Sequence, residues 1–504
     1  MLIIESYRCL PCGETHTWYL FATRPTGPKR RWAGIILLMR NYQQESLSHD
    51  PIHGYIPFTS ADGLPEDEVA EECLIDHPWL QRLRQIHQLQ TAWWVFPTAE
   101  HTRFQHVLGA MHLASQAVAA LYESLAEVCP DVPSRGYVEC LMRLSGLLHD
   151  VGHGPFGHFF DDYFLADFGL THETVGARII RDDLGELLRG VRRNPFSQLA
   201  EGEVLDPEQI TFLITRPTAV ARNDVPNWLR LLQSLFCGLY TVDNMDFVLR
   251  DSYMTGYNSR AFDLERLLHY SFFHERGLTV HSRGLPALIR FIGVRAELFR
   301  SVYFHRTVRA IDLTLQDLFA DSKSLLFPGN PLDHLAEYQR FTEWSLLIDV
   351  ARWHESPDPR KQELGRRWSD FLKRRVHWRM AAEHTMYFEL DSGEGSSIFS
   401  NRVFFEQALR DKLPGDLKSL PLRVDVARHV HRPGTRGPTA GQNYLFDAGS
   451  QEIRSLSDSE LFRRVPISYR ICRVYCESRE HHAALARALD RLVSTGGGDD
   501  RTNM

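Results

Sequence analysis

The 504-residue sequence has no apolar run approaching the roughly 18 residues that a membrane-spanning helix needs. Its longest early candidate, WAGIILLM (Trp32 to Met39), is short and follows Lys29-Arg30-Arg31. That stretch is faintly like a signal peptide, yet no small-residue cleavage site follows it. A cytoplasmic protein with no membrane partner is therefore expected. A basic excess is also lacking: 57 Lys and Arg against 64 Asp and Glu give a formal charge of -7. This argues against general affinity for nucleic acid and leaves only a local basic groove open. The 8 cysteines are scattered, so no disulfide framework is read from them. Cys9-Leu-Pro-Cys12-Gly resembles half of a zinc knuckle without its second pair, and Cys472 and Cys476 in ICRVYC read as buried thiols. No internal repeat is visible. What remains is an ordinary globular composition, 43% hydrophobic and 24% charged, long enough for several domains.

The chain is organised around LLHDVGHGPFGH, Leu147 to His158. The adjacent His149-Asp150 pair closes an apolar run, SGLLHD, that reads as the end of a buried helix. Both side chains can lean toward one divalent cation. The glycines beyond allow a tight turn that returns His153 and His158 toward the same point.

Residues 1–40 show no periodicity and are expected to be an N-terminal extension, disordered or mis-started ahead of Met39. His49-Asp-Pro-Ile-His-Gly reads as a turn before an extended segment. Apolar residues at 79, 80, 83, 86 and 89 predict a helix capped by Asp76, with Pro78 in its first turn. A long helix is expected from about Glu100 to Val128, carrying Arg103 and His106 one turn apart. Another spans 136 to 149, and a third opens at Thr171-His172-Glu173. Residues 190 to 226 read as a polar surface excursion. Asp243, Asp246 and Arg250 fall on adjoining turns of one helix. From Pro286 to about Leu318 a single helix is expected, with Arg295, Phe299, Tyr303 and Arg306 spaced by four, four and three. The expected organisation is a mainly α fold: a helical core at 41–325, a helical extension at 326–400, a small α+β lobe at 401–492 and a tail at 493–504.

His106, His149, Asp150 and Asp243 together offer two imidazole nitrogens and two carboxylates. That set suits a first-row divalent metal with positions left open for water and a phosphate oxygen. Mg, Mn, Fe, Zn, Co and Ni are not distinguished. A helical bundle has to converge the four groups.

The spacing H…HD…D, with VGHGPFGH after the His-Asp pair, resembles the HD-domain phosphohydrolases. Among them it is similar to the dNTP triphosphohydrolases, the sterile-alpha-motif-and-HD type and its bacterial dGTPase-like relatives. The likeness runs through Asp50-Pro-Ile-His-Gly, Gln81-Arg-Leu-Arg, Val95-Phe-Pro, Arg103-Phe-Gln-His106 and the central motif. It continues through His172-Glu173, Asp243…Arg250-Asp251 and Arg295…Tyr303-Phe-His-Arg306. No sterile-alpha-motif domain accompanies it. The resemblance implies an HD-domain helical core whose metal is held by His106, His149, Asp150 and Asp243. It implies that His153 is catalytic, oriented by Asp161, with His172 and Glu173 completing that network. Arg103, His158, Arg295 and Arg306 would hold the triphosphate. Gln88 and Asp251 would bind the 3′-hydroxyl, with Leu89 in the same pocket, and Tyr303 would exclude a 2′-hydroxyl. Asp161 is expected to raise the His153 pKa toward or above neutrality. A nucleotide substrate, a homo-oligomer (dimer or tetramer) and a nucleotide activator are implied partners. The products implied are a deoxynucleoside and inorganic triphosphate.

Three positions depart from the family pattern. Asn244 stands where a phosphate-binding lysine is usual, Phe247 where a tyrosine is, and Phe299 where a histidine of the sugar-base pocket is. Asn244 and Phe247 favour an alternative, an HD phosphohydrolase acting on another nucleotide or phosphate ester. A nucleotide-sensing HD protein is a third reading.

Overall fold

The structure, a computed structural model, describes residues 44–215, 225–388, 399, 401–430 and 444–499. The N-terminal extension, the Gly/Pro-rich turn around Pro433 and the end of the tail lie outside the described residues. The fold is mainly α. A hairpin of β1 (Glu45–Asp50) and β2 (Gly54–Thr59) opens it. The core helices are α1 (Arg103–Val128), α2 (Arg135–Leu148), α3 (His158–Tyr163), α4 (His172–Asp182), α5 (Val242–Met254), α6 (Leu285–Leu298) and α7 (Arg306–Leu326). Among the described residues, no helix is long and apolar enough to cross a membrane.

At the start of α1, the Thr102 backbone N–H donates to Gln105 Oε1 at 2.7 Å. Ser134 caps α2, accepting from the Tyr137 backbone N–H at 3.1 Å. Every residue of α2 from Gly136 to Leu148 is buried, so this is the central helix. Gly146 lets it lie directly against α1, since a Cβ there would stand 2.8 Å from the Ala110 carbonyl oxygen. These two helices deliver the His-Asp pair and His106 to one place.

Several elements differ from expectation. The helix expected over 79–89 stops early: Pro78–Gln81 is followed by a 3-10 turn, Arg82–Gln85. Residues 86–88 instead run extended against 101–103, with Gln88 N–H donating to the His101 carbonyl and Arg103 N–H to that of Ile86, both at 3.0 Å. Tertiary pairing overrides the local period there. The excursion at 190–226 contains a buried helix, Pro207–Ile214. The helix expected from Pro286 to Leu318 is interrupted by a π-turn at Phe299–Tyr303 and restarts at Arg306 behind the His305 cap.

The segment expected as a helical extension to 400 also carries a strand, β5 (Arg379–Phe388). The lobe sheet has the order β5-β9-β6, with β6 (Leu422–Val430) and β9 (Ser468–Cys476) antiparallel. One face of it packs under α8 (Arg402–Asp411) and α9 (His482–Asp499) through Phe405, Leu409, Val474, Cys476 and Leu485. The strands β7 (Tyr444–Asp447) and β8 (Glu452–Ser455) return to extend the core hairpin of β3 (Ser271–His274) and β4 (Gly277–His281), β4 and β7 being parallel. Leu445, Leu456 and Phe462 accordingly belong to the main apolar core.

Candidate functional site

The expected metal groups come together from three helices. His106 projects from α1, His149 and Asp150 follow the end of α2, and Asp243 lies in the first turn of α5. His106 Nε2 is 3.2 Å from His149 Nε2, 3.2 Å from Asp243 Oδ1 and 4.0 Å from Asp150 Oδ2. His149 Nε2 is 3.4 Å from Asp150 Oδ1 and 3.8 Å from Asp243 Oδ1. Ligands at about 2.1 Å from a common cation stand about 3 Å apart at right angles and about 4 Å apart across it. His106, His149 and Asp150, whose donor atoms lie within 4.8 Å of one another, thus fit a divalent cation in chemistry and in spacing, and Asp243 approaches them from the side of the two imidazoles. Both imidazoles have their other nitrogen occupied: His106 Nδ1 faces Asp246 Oδ2 and His149 Nδ1 faces the Gly146 carbonyl, each at 2.8 Å. Those contacts assign the Nδ1–H tautomer and turn both Nε2 lone pairs to the shared point. Burial alone would lower the His106 pKa, yet Asp243 and Asp246 push it up to about 10. A positive charge, proton or cation, is favoured there.

Asp246 anchors this arrangement from behind. It accepts from Arg250 Nε and Nη2, both at 2.9 Å, and from His53 at 2.7 Å, while Arg250 reaches Asp50 at 2.7 Å. The whole network is buried. Sequence reasoning placed Asp246 and Arg250 on one helix but missed their tie to His106 and to the β1–β2 turn.

A second group sits beside the first. His153, His158, Asp161 and His172 have their donor atoms within 4.8 Å of one another. Asp161 takes His172 at 2.6 Å and His158 at 3.2 Å, whereas His153 Nδ1 stands 3.8 Å away. His153 is wholly buried, stacked on His172 at 3.7 Å between ring centres, with Nε2 3.3 Å from Asp150 Oδ1. The expectation of a raised His153 pKa is corrected. Burial lowers it first, and the nearby Arg103 and His172 lower it further, against Asp150 and Asp161. The imidazole is neutral at rest. Its loop is held from beneath: Arg82 donates to the His153 carbonyl at 2.7 Å and Tyr338 to that of Gly152 at 2.8 Å.

A cavity of about 700 Å³ opens from these groups. At the metal end it is lined by Arg103, His149, Asp150, His158, His172, Glu173, Asp243, Asn244 and Arg295. Arg103 Nη1 lies 2.5 Å from Asp150. Burial would raise the Asp150 carboxyl, but Arg103, His149 and His153 hold it well below the usual carboxylate range. Burial brings Arg295 down to about 10, and its guanidinium donates to the Leu239 carbonyl at 3.2 Å. Further along lie Gln88, Leu89, Phe247, Asp251, Phe299 and Tyr303. Asp251 accepts from His101 at 2.7 Å and from the Tyr303 hydroxyl, while Gln88 Oε1 is buried without a partner.

Arg306 is not brought to the cavity. It is exposed at the first turn of α7, because the π-turn resets the helical phase. Arg309, one turn later, lines the wall instead, paired with Asp425 at 2.6 Å and Asp312 at 3.2 Å. His429 and Val430 of β6 also reach the cavity, which no periodicity in that strand could have announced.

Comparison with known proteins agrees with this geometry. An HD domain model matches residues 103–213. Deoxynucleoside triphosphate triphosphohydrolase SAMHD1 of Gallus gallus is 30% identical over 471 residues, covering 86% of this chain and 72% of that protein. An uncharacterized protein of Bacillus subtilis, YwfO, is 28% identical, covering 69% of this chain and 76% of its own. Among solved structures, a hypothetical protein from Aquifex aeolicus shares the fold with a TM-score of 0.61 at 23% identity, over 88% of this chain and 100% of that one. With the His-Asp centre, the helices that converge it and a relative matched over most of both lengths, the chain belongs to the HD-domain phosphohydrolase family that includes SAMHD1.

Proposed function

We propose that this chain is a metal-dependent hydrolase of deoxynucleoside triphosphates, releasing the deoxynucleoside and inorganic triphosphate. The observation that carries this reading is the single cavity joining the His-Asp cluster to the Tyr303–Asp251 pair. His106, His149, Asp150 and Asp243 hold the cation. When bound, it polarises a phosphoryl oxygen and lowers the pKa of water. Arg103, Arg295 and His158 hold the triphosphate, and Gln88 and Asp251 take the 3′-hydroxyl. Tyr303, fixed on Asp251, lies under the deoxyribose and leaves no room for a 2′-hydroxyl. Water adds to the α-phosphorus, the bond to the 5′-oxygen breaks, and that oxygen takes up a proton. His153, neutral at rest with Asp161 and His172 at its flank, relays this proton through its ring nitrogens.

Asn244 and Phe247 favour a second reading, hydrolysis of another nucleotide or phosphate ester, because they line the cavity without a charge or a hydroxyl. A homo-oligomer and a nucleotide activator accompany the first reading. The deciding experiment incubates the metal-loaded protein with each dNTP and each NTP and separates the products by anion exchange. Triphosphate and deoxynucleoside from dNTPs alone are expected. Release of pyrophosphate, or turnover of NTPs at equal rate, overturns the reading.

A further inference from the structure

His429 belongs to the lobe sheet and, with its neighbour Val430, lies far along the chain from the other groups in the cavity, yet it forms part of the cavity wall. It is 6% exposed and stacks on Phe299 of the core at 4.1 Å between ring centres and 27° between planes. Phe299 in turn meets Tyr303 edge-on at 4.7 Å. Phe304, Val308 and Val430 continue the same wall. Beside Tyr303, then, Phe299, Phe304, Val308, His429 and Val430 form an aromatic and apolar stretch of the wall, two of these five residues coming from β6.

The position of His429 is pinned. Four residues earlier on its strand, Asp425 accepts from Arg309 Nη2 at 2.6 Å and Nε at 3.1 Å. On the neighbouring strand the Tyr469 hydroxyl donates to the Ala296 carbonyl and that of Tyr475 to the Arg306 carbonyl, each at 3.0 Å. These ties run to α6 and α7 on either side of Phe299. A side chain held this way presents a constant surface to whatever fills the outer cavity.

We infer that His429, paired with Phe299, is a specificity-determining residue that packs against the nucleobase, so that the C-terminal lobe takes part in choosing the substrate. The inference rests on the nucleotide reading given above. A flat heteroaromatic ring is the chemical class that such a wall recognises, because every base offers a π-face or an edge to it. Base–aromatic stacking contributes about 1–3 kcal/mol, which is about fivefold to 150-fold in affinity.

The test compares the full-length, metal-loaded parent with His429→Ala and His429→Phe. KM and kcat are measured for the four dNTPs and for 2-deoxyribose 5-triphosphate, which has no base. His429→Ala is expected to raise KM for dNTPs about tenfold, with a smaller change in kcat and an altered order of preference among bases. His429→Phe recovers most of that loss, and the base-free compound shows the same KM with all three proteins. An equal rise in KM for the base-free compound, or parental values for all four dNTPs, overturns the assignment while leaving the proposed function standing. If the parent hydrolyses no dNTP, the function fails and the assignment falls with it. Should the alanine variant not fold, His429→Leu and Phe299→Leu read the same base-dependent contrast.

Discussion

Asp246 accepts a hydrogen bond from His106 Nδ1 at 2.8 Å, so the orientation of a proposed metal ligand is set by a carboxylate that cannot reach the metal point itself. The carboxylate is in turn clamped by Arg250 and His53. Replacing it by Asn removes one acceptor and points an amide N–H at a guanidinium, leaving Arg250 buried with only Asp50. Breaking a buried pair costs about 3–5 kcal/mol, and loss of such a supporting partner lowers metal affinity about tenfold to a hundredfold. Asp246→Asn is therefore expected to lose bound metal, read by elemental analysis, and to unfold at lower denaturant. Parental metal content at micromolar protein would show that His106 needs no such support.

How much of this was legible in the sequence follows from where the determinants lie. His149, Asp150, His153 and His158 share one short stretch whose glycines and proline force a turn, so their gathering could be read directly. His106 and Asp243 needed only helix periodicity and a common type of donor. The supporting layer was not legible: His53, Asp50 and Asp246 meet across long separations, and nothing local marks them as partners. The choice between Arg306 and Arg309 turned on a π-turn, whose extra residue leaves no signature in the hydrophobic pattern. β5 was missed for a related reason. Its residues pair with β9, distant in the chain, and its half-buried alternation is weak.

The β-bridge that carries Gln88 to the cavity depends on His87. Its Nδ1 lies 2.8 Å from Glu343 and its Nε2 3.2 Å from Glu100. Burial lowers the His87 pKa, but Glu343 and then Glu100 outweigh it, so the folded-state value is raised above 6.5. A raised value means the folded state binds the proton more tightly. The resulting stability is fully present below about 6.5 and is lost as pH rises through the folded-state value. The melting temperatures of the parent and His87→Gln should thus differ most near pH 6 and converge toward pH 9. A difference that does not change with pH would assign His87 to packing on Trp93 alone.

Gly157 occupies backbone space closed to other residues, with φ +56 and ψ −123. A Cβ there would stand 2.3 Å from Arg103 Nη2, the guanidinium that pairs with Asp150. Gly157→Ala carries backbone strain of about 1–3 kcal/mol and displaces Arg103. Under the proposed function, a charged hydrogen bond to the triphosphate is then lost, about tenfold or more in KM. Metal content should change less than KM, since of the four donors only Asp150 pairs with Arg103. A normal KM with lowered stability would mean that the arginine simply swings aside.

His153 tests the chemistry apart from the metal. Its ring has no exposed surface, yet one nitrogen lies 3.3 Å from Asp150 and its face rests on His172. It is not one of the four gathered donors, because its Nε2 faces the side of Asp150 while the His106 and His149 nitrogens close on the common point. A neutral imidazole in this place can take a proton on one nitrogen as it releases another, which an alanine cannot do. His153→Ala should keep its metal, leave KM within a few-fold and lower kcat by about a hundredfold or more, the usual loss for a proton-transfer group. His153→Asn retains the size and a donor without the basicity, so it should restore stability but not turnover. Recovery of turnover in the Asn variant would reduce His153 to a spacer beneath the cavity, and the proton would have to travel by way of His158 or His172 instead.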